Sequence, residues 1–456
     1  MPKVENIIIG FGQGGKALAQ DLGNRGESTI LVEKDPKMYG GTCVNVACIP
    51  SKRLATLAKR RPDTLNKRTY YQNAIQEKKR LIQQLNKANY KNVNDTKNVS
   101  VIDGEASFIN EDKIKIRLKN GDLTTYEAKK IFINTGSRPN VPNIPGLKID
   151  GRRIHTSETL MDDERFTEHL TIIGDGNVGL EFASIYSQFG SQVTVLSHSS
   201  QAEFLKSEEK EIREAVLKAM QEMGIRFIFN AETTQVNENN TKLSLTYKQK
   251  DTTKELNTDK ILVAVGRSPN IKKLNLNAAG ILLTEDDAVQ VNKHLQTNIK
   301  HIFALGDVNG GPQHTYISSD DYRIVKSKLF DDGSYNLATR ENVPAATFID
   351  PPLATVGLTE KESKQHGYHV KIALLPANSI AQAKILDHTV GLYKTVIDAD
   401  TEEILGASFF AEDSHEVINI ISTAMAGKLA YHTLANQIFP HPTMAEALNN
   451  LFGQIT

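Results

Sequence analysis

NIIIGFGQGGKALAQDLGNRGESTILVE, residues 6 to 33, decides the class of fold. The apolar run Asn6 to Ile9 has strand length and stops at Gly10-Phe11-Gly12-Gln13-Gly14-Gly15. A helical pattern follows, then a second apolar run, Thr29 to Val32, closed by Glu33. Glycines at Gly10, Gly12 and Gly15 permit a tight turn and the close approach of a pyrophosphate to a helix N-terminus, where unpaired N–H groups favour anions. An acid about 20 residues on can accept hydrogen bonds from ribose hydroxyls, the place taken by Glu33. Strand, turn and helix in this order predict a dinucleotide site.

The unit returns at residues 171 to 198, TIIGDGNVGLEFASIYSQFGSQVTVLSH. Gly174, Gly176 and Gly179 repeat the fingerprint, Gly190 falls where Gly26 does, and Ser197 falls where Glu33 does. The two sites therefore differ where ribose is read. Ser197 and His198 carry no fixed negative charge, so a 2′-phosphate that a glutamate would repel is tolerated; Lys206 adds positive charge if its loop folds back. This predicts NADPH at the second site, with NADH the alternative. Two dinucleotide sites in one chain predict an electron relay. A flavin, FAD, is the natural partner of a nicotinamide, because it takes a hydride and can then act on a disulfide.

A length of 456 residues suggests about three domains. Lys+Arg and Asp+Glu balance at 54 each, which argues against a nucleic-acid partner with its strongly basic face. No apolar run reaches the ~18 residues of a membrane span. The first apolar run ends at glycines without a cleavage pattern, so it reads as a strand and the chain as cytoplasmic.

The only two cysteines, Cys43 and Cys48, lie together in GGTCVNVACIPSK, residues 40 to 52. In a reducing compartment such a pair is redox-active or metal-binding. No second pair accompanies it, so no metal site is expected. Gly40-Gly41-Thr42 reads as a helix entry with Thr42 as a candidate N-cap, and a helix N-terminus raises the thiolate fraction of a nearby thiol. A plain helix rises about 1.5 Å per residue, which keeps positions five apart at least ~7.5 Å from one another. A disulfide wants Cα atoms within about 7 Å. The helix must therefore be distorted between the two, and Pro50, unable to donate to the carbonyl of Val46, removes one rung.

Thiol–disulfide chemistry also needs an acid–base group near neutral pH. Phe439-Pro440-His441-Pro442-Thr443-Met444-Ala445-Glu446 offers His441, with Glu446 to orient it. The same stretch also reads as a capping box, Thr443 to Glu446, with His441 only a loop residue.

With these pieces the chain resembles the class I pyridine nucleotide–disulfide oxidoreductases, the family of glutathione reductase, dihydrolipoamide dehydrogenase and mercuric reductase. The resemblance covers essentially the whole length. It includes Asn134-Thr135-Gly136-Ser137-Arg138-Pro139, Val265-Gly266-Arg267-Ser268-Pro269-Asn270, Ala304-Leu305-Gly306-Asp307 and Val356-Gly357-Leu358-Thr359-Glu360. It implies an α/β fold with two Rossmann-like domains, for FAD and NAD(P), and a C-terminal α+β dimerisation domain. The implied divisions are 1–149 and 269–342 for FAD, 150–268 for NAD(P), and 343–456 for the interface of a homodimer. FAD is implied along the first fingerprint, with Gly41, Thr42, Thr135, Gly136, Asp307 and Thr315 beside it. Lys52 is implied by the flavin and paired with Glu181. Gly266 and Arg267 join the second fingerprint at the nicotinamide dinucleotide. Cys48 is implied as the thiol touching the flavin and Cys43 as the one facing substrate, with His441 and Glu446 from the other subunit.

Two stretches, HTYISSDDYRIV (314–325) and residues 413–452, resemble more narrowly the bacterial reactive-chlorine-resistance flavoproteins, which act as hypothiocyanous acid reductases. Some of those carry an acid where Ser197 stands. The resemblance implies attack of Cys43 on a small electrophilic oxidant, and bulky side chains around it. Reduction of copper or mercuric ions, or of a glutathione- or lipoamide-type disulfide, would use the same cysteines. A flavoprotein redox sensor is the non-enzymatic alternative. The Lys- and Arg-rich residues 53 to 100 read as a solvated helix face.

Overall fold

The computed structural model describes residues 1–62, 64–239 and 242–455. The strand Lys3–Ile9 lies between Thr29–Glu33 and Leu123–Ile133, parallel to both, with Ile7 opposite Ile30 on one side and Ile131 on the other. Strands of parallel sheets are covered on both faces, which is why this one is apolar without alternation; Ile7, Ile8 and Ile9 are all buried. The sheet continues through Val99–Phe108 and Lys113–Leu118 back to Leu123–Ile133, and Ile302–Ala304 adds to that last strand. This first unit is thus assembled from both sides of a long insertion.

The insertion holds a second parallel sheet, in the order Arg226–Ile228, Gln192–Leu196, His169–Ile173, Lys260–Val263, Ile154–Thr156. An antiparallel three-stranded sheet, Ala231–Glu238, Leu243–Gln249 and Thr252–Thr258, is attached to it. A short antiparallel ribbon, Ser137–Pro139 with Arg267–Pro269, joins the two crossings of the chain between the units. The C-terminal part is an antiparallel five-stranded sheet, covered by the helices Ser414–Ala426 and Ala447–Phe452. The fold is α/β with two Rossmann-like units and a C-terminal α+β unit.

Four helices of the first unit matter below: α1 (Gln13–Asn24), α2 (Gly41–Val46), α3 (Cys48–Lys59) and α4 (Lys67–Asn94). The basic residues of α3 and α4 are not simply solvated, which corrects the sequence expectation. Lys78 is only 2 % exposed and pairs with Asp162, while Lys79 pairs with Glu164 and Lys67 with Glu168. These acids all lie in the inserted unit, so the charge of α4 docks one unit on the other.

A second ionic contact ties the insertion to the C-terminal sheet. Lys394 is 2 % exposed and donates to Glu209, Glu211 and Glu360, each at 2.9 Å. Beside Glu209 in the chain, Glu208 is half-buried, and burial, reinforced by the charges of Glu209 and Glu362, pushes its carboxyl up to about 7 from the ordinary 4.5. A folded-state acid with a raised pKa stabilises the fold fully below its unfolded value, and that contribution is lost as pH rises through 7. Glu208→Gln is therefore expected to stabilise the protein at pH 8 by about 2 kcal/mol and to change little below pH 5, read from thermal melts at the two pH values.

Candidate active site

A cavity of about 1290 Å³ runs through the meeting of the three units, lined by both fingerprints, both cysteines and residues of the C-terminal part. Its first wall is the turn after Lys3–Ile9. Gly10 has φ +104°, and a Cβ there would lie 2.4 Å from the carbonyl oxygen of Asn134; one on Gly12 would lie 2.5 Å from Asn134 Oδ1. No side chain fits, so the turn must be glycine. Asn134 braces it: Oδ1 accepts from Gly15 N–H at 2.9 Å, and Nδ2 donates to the Leu305 carbonyl at 2.7 Å. This buried amide belongs to one of the motifs that carry the family resemblance, but sequence reasoning gave it no role. Glu33 ends its strand against the turn and accepts from Phe11 N–H at 3.0 Å and Asp35 N–H at 3.1 Å. Burial raises its carboxyl pKa despite those bonds.

The cavity wall here suits a flavin dinucleotide. Thr135 Oγ1 is buried with no hydrogen-bond partner among the described residues. Gly136 stands beside it at φ +66°, and a Cβ on it would meet only Thr42 Oγ1, 4.0 Å away. Asp307 sits in the turn Gly306–Asn309 and accepts from Ser137 Oγ at 2.6 Å. Ser137 Oγ accepts in turn from Arg267 Nε at 2.8 Å, so Arg267 braces the crossing ribbon and pairs with Glu158.

The second fingerprint repeats the steric logic. Gly174 has φ +111° with a Cβ position 2.4 Å from the Ala264 carbonyl, and Gly179 packs on the Gly174 carbonyl. Gly176 caps the helix Asn177–Phe189, and a Cβ on it would meet nothing within 4 Å, so this turn opens on the cavity, as does Gly266. Ser197 and His198 do not line it. Ser197 is fully buried at the strand end and its hydroxyl donates to the Ser199 carbonyl at 3.3 Å; His198 is exposed.

The cysteine segment is two helices and not one. Ala47, at φ −141° and ψ −97°, ends α2 and begins α3, so Cys43 and Cys48 lie on opposite sides of a break. The ladder resumes with Ser51 N–H on the Ala47 carbonyl at 3.0 Å, and Pro50 supplies no donor before it. The start of α2 corrects one expectation: its N-cap is Gly40, at φ +96°, and Thr42 lies inside the first turn. Gly41, at φ +73°, follows, and its Cβ position is 2.7 Å from Gly12 Cα; two turns pass too closely there for any side chain.

Both cysteines are free thiols. Cys48 Sγ lies 3.3 Å from Thr315 Oγ1, in the first turn of the helix Thr315–Phe330, whose N-terminus favours an anion. The Cys48 thiol is held down at about 6, first by a hydrogen bond from Cys43, then by Thr315 and the charge of Lys52, against burial and Glu181. Cys43 is pushed up, by that same hydrogen bond first and by burial second. The pair thus shares one proton, with the thiolate on Cys48.

Lys52, one turn along α3, donates to both carboxylate oxygens of Glu181, at 2.9 and 2.7 Å. Glu181 also accepts from Phe348 N–H at 3.0 Å, and the Lys52 ammonium lies 4.5 Å from the Phe348 ring centre. Three units meet in this contact. His314 and Tyr316 stack at 4.9 Å on either side of Thr315, and Tyr316 OH donates to the Pro344 carbonyl at 2.7 Å. His314, Tyr316, Phe348 and His415 all line the cavity. Sequence reasoning missed them as cavity residues; the position of His314 and Tyr316 beside Thr315 was the one available signal.

His441 Nδ1 faces both oxygens of Glu446, at 3.0 and 2.8 Å. Thr443 Oγ1 accepts from Glu446 N–H at 3.2 Å. The helix Ala447–Phe452 starts from Glu446 and not from Thr443, so Thr443 closes only a turn, and the Glu446 carboxylate goes to His441. His441 is 67 % exposed and does not line the cavity of its own chain. Asp350, His388 and Glu412 form a group of metal-ligating type among the described residues, but Lys59 Nζ already donates to Asp350 at 3.0 Å and to Glu412 at 2.8 Å. No helix among the described residues is long and apolar enough to cross a membrane.

The sequence matches the model of the pyridine nucleotide-disulphide oxidoreductases over residues 4–321 and that of their dimerisation domain over residues 343–452. The chain belongs to this family. It is 38 % identical, over the full length of both, to the probable pyridine nucleotide-disulfide oxidoreductase RclA of Escherichia coli strain K12. It is 32 % identical to a mercuric reductase of Staphylococcus aureus, over 97 % of this chain and 80 % of that one. Among solved structures, the HOCl-induced flavoprotein disulfide reductase RclA from Escherichia coli superimposes with a TM-score of 0.92 at 37 % identity, over 99 % of this chain and all of that one. A Cu(II) complex of the same protein gives 0.94 over the full length of both.

A hydrogen bond to a thiolate lowers its pKa, so removing the donor raises it. Thr315→Val is expected to move the first thiol ionisation of the reduced protein up from about 6 by roughly one pH unit, toward the ordinary thiol value of about 8.5. The pH dependence of Cys48 alkylation measures this, and an unmoved midpoint would contradict the role of Thr315.

Proposed function

We propose that this chain is a homodimeric, cytoplasmic flavoprotein that uses NADPH to reduce hypothiocyanous acid to thiocyanate and water through Cys43 and Cys48. The observation that carries this reading is the thiol pair astride the break at Ala47, on a cavity shared with both dinucleotide turns. The crowding by His314 and Tyr316 supports a small oxidant over a bulky disulfide. The description of the Escherichia coli relative as HOCl-induced supports a role in defence against halogen oxidants.

FAD would be held by Gly10, Gly12, Gly15, Glu33, Thr135, Gly136 and Asp307, and would supply the two-electron link between nicotinamide and sulfur. Gly174, Gly176, Gly179, Gly266 and Arg267 would hold the nicotinamide dinucleotide; the buried Ser197 removes the negative charge that Glu33 brings at the first site, which supports NADPH.

His441 of a second copy of the chain takes the Cys43 proton, and the Cys43 thiolate attacks the sulfur of hypothiocyanous acid. An S–S bond forms, the S–O bond breaks, and the oxygen leaves as water with a proton from His441 of a second copy of the chain. Glu446 holds Nδ1 of that histidine and leaves Nε2 free for the transfer. The Cys48 thiolate then attacks Cys43, closing the disulfide and releasing thiocyanate. NADPH supplies the two electrons that restore the dithiol, so NADPH and hypothiocyanous acid give NADP⁺, thiocyanate and water. Lys52, anchored by Glu181, keeps positive charge beside the Cys48 thiolate. Ile438, 90 % exposed just before His441, supports burial of this end of the chain against a second copy.

A copper-directed reading has one observation behind it, the Cu(II) complexes of the solved relative. Anaerobic NADPH oxidation with hypothiocyanous acid, oxidised glutathione, lipoamide, copper(II) and mercury(II) offered separately decides between them. Fast turnover of hypothiocyanous acid is expected, falling by at least about a hundredfold in Cys43→Ser, as expected when a nucleophile is lost. Preference for a metal ion or a disulfide, or full turnover without Cys43, would overturn the proposal.

A further inference from the structure

The fingerprint demands glycines, but it asks nothing of the residue after Gly15, where this chain has Lys16 in the first turn of α1. Lys16 is half-buried, and its ammonium donates to Asn89 Oδ1 at 2.5 Å. Asn89 is held in that sense because its Nδ2 donates to the Leu85 carbonyl at 2.7 Å. The same amide packs against the start of α2: a Cβ on Gly40 would lie 3.1 Å from Asn89 Cγ. Lys16 therefore sits behind the helix turn that carries Cys43. Among the described residues it pairs with no carboxylate, and the one charge that acts on it is that of Cys43. A withdrawn ammonium without a counter-ion is costly, and such charges are normally paired.

We infer that Lys16 is the counter-ion of the Cys43 thiolate, a tuning residue that raises the reactive fraction of the substrate-facing sulfur. This rests on the reading of Cys43 as the attacking thiol. The other groups around the pair act differently. Cys48, on α3, competes with Cys43 for the shared proton. Lys52, Glu181 and Tyr316 face Cys48. A hydrogen bond from Thr315 favours the Cys43 thiolate first, and Lys16 adds positive charge to it, against the burial that disfavours it. The contribution of Lys16 matters most when Cys43 must ionise without the Cys48 thiolate beside it.

The test isolates Cys43 in the flavin-loaded Cys48→Ser protein and follows its alkylation by iodoacetamide against pH. Adding Lys16→Met or Lys16→Gln is expected to raise the midpoint by about one pH unit, hence to slow alkylation at pH 7 about tenfold, while Lys16→Arg keeps the parent midpoint. An unchanged midpoint in both neutral variants overturns the inference. So does loss of flavin on gel filtration with the midpoint unchanged, which would assign Lys16 to a dinucleotide phosphate. Neither result touches the attacking role of Cys43, which fails separately if Cys43→Ser keeps full turnover.

Discussion

Two sulfurs five residues apart must come together at one end of a flavin-sized cavity, and a continuous helix cannot bring them there. The break at Ala47 meets that constraint, and the surroundings follow from it. Gly40 and Gly41, both at positive φ, swing α2 in over Gly12, while Pro50 lets α3 begin afresh with Cys48 at its first residue. Cys48 then faces the N-terminus of Thr315–Phe330, and Lys52 emerges one turn later toward the inserted unit. Charge pins α3 in its second turn, Lys52 on Glu181, and at its C-terminal end, Lys59 on Asp350 and Glu412.

Electrostatics then divides the labour between the thiols. An anion at Cys48 meets a helix N-terminus, a hydroxyl and an ammonium, and so it is the stable thiolate of the reduced pair. Cys43 holds the shared proton until a base removes it. Such an arrangement puts one negative charge on the pair, at Cys48, and avoids two adjacent ones. His441 is exposed, and its Nδ1 lies 2.8 Å from a carboxylate oxygen of Glu446, which fixes how the ring is turned.

Much of this was legible in the sequence because it is steric. Gly10, Gly12, Gly174 and Gly179 announce themselves since nothing larger fits, and the spacing of Cys43 and Cys48 with Pro50 forces a distorted helix on length alone. Contacts between distant segments were not legible. Asn134 acquires its role only when its strand meets the fingerprint. His314, Tyr316, Phe348 and His415 gather from separate units, and no periodicity reports that. The basic run of α3 and α4 read as solvated because its acids, Asp162, Glu164 and Glu168, lie in another unit. Ser197 was identified by its register with Glu33, but its hydroxyl turns back to its own loop, which no register predicts.

In the proposed reaction, reducing equivalents from the nicotinamide reach this one cysteine pair. Anaerobic addition of NADPH to the oxidised holoprotein, followed by alkylation and peptide mapping, tests it most directly. Two thiols are expected to appear per chain, at Cys43 and Cys48, in step with the NADPH consumed. NADPH oxidation with no new thiol at either position would contradict it.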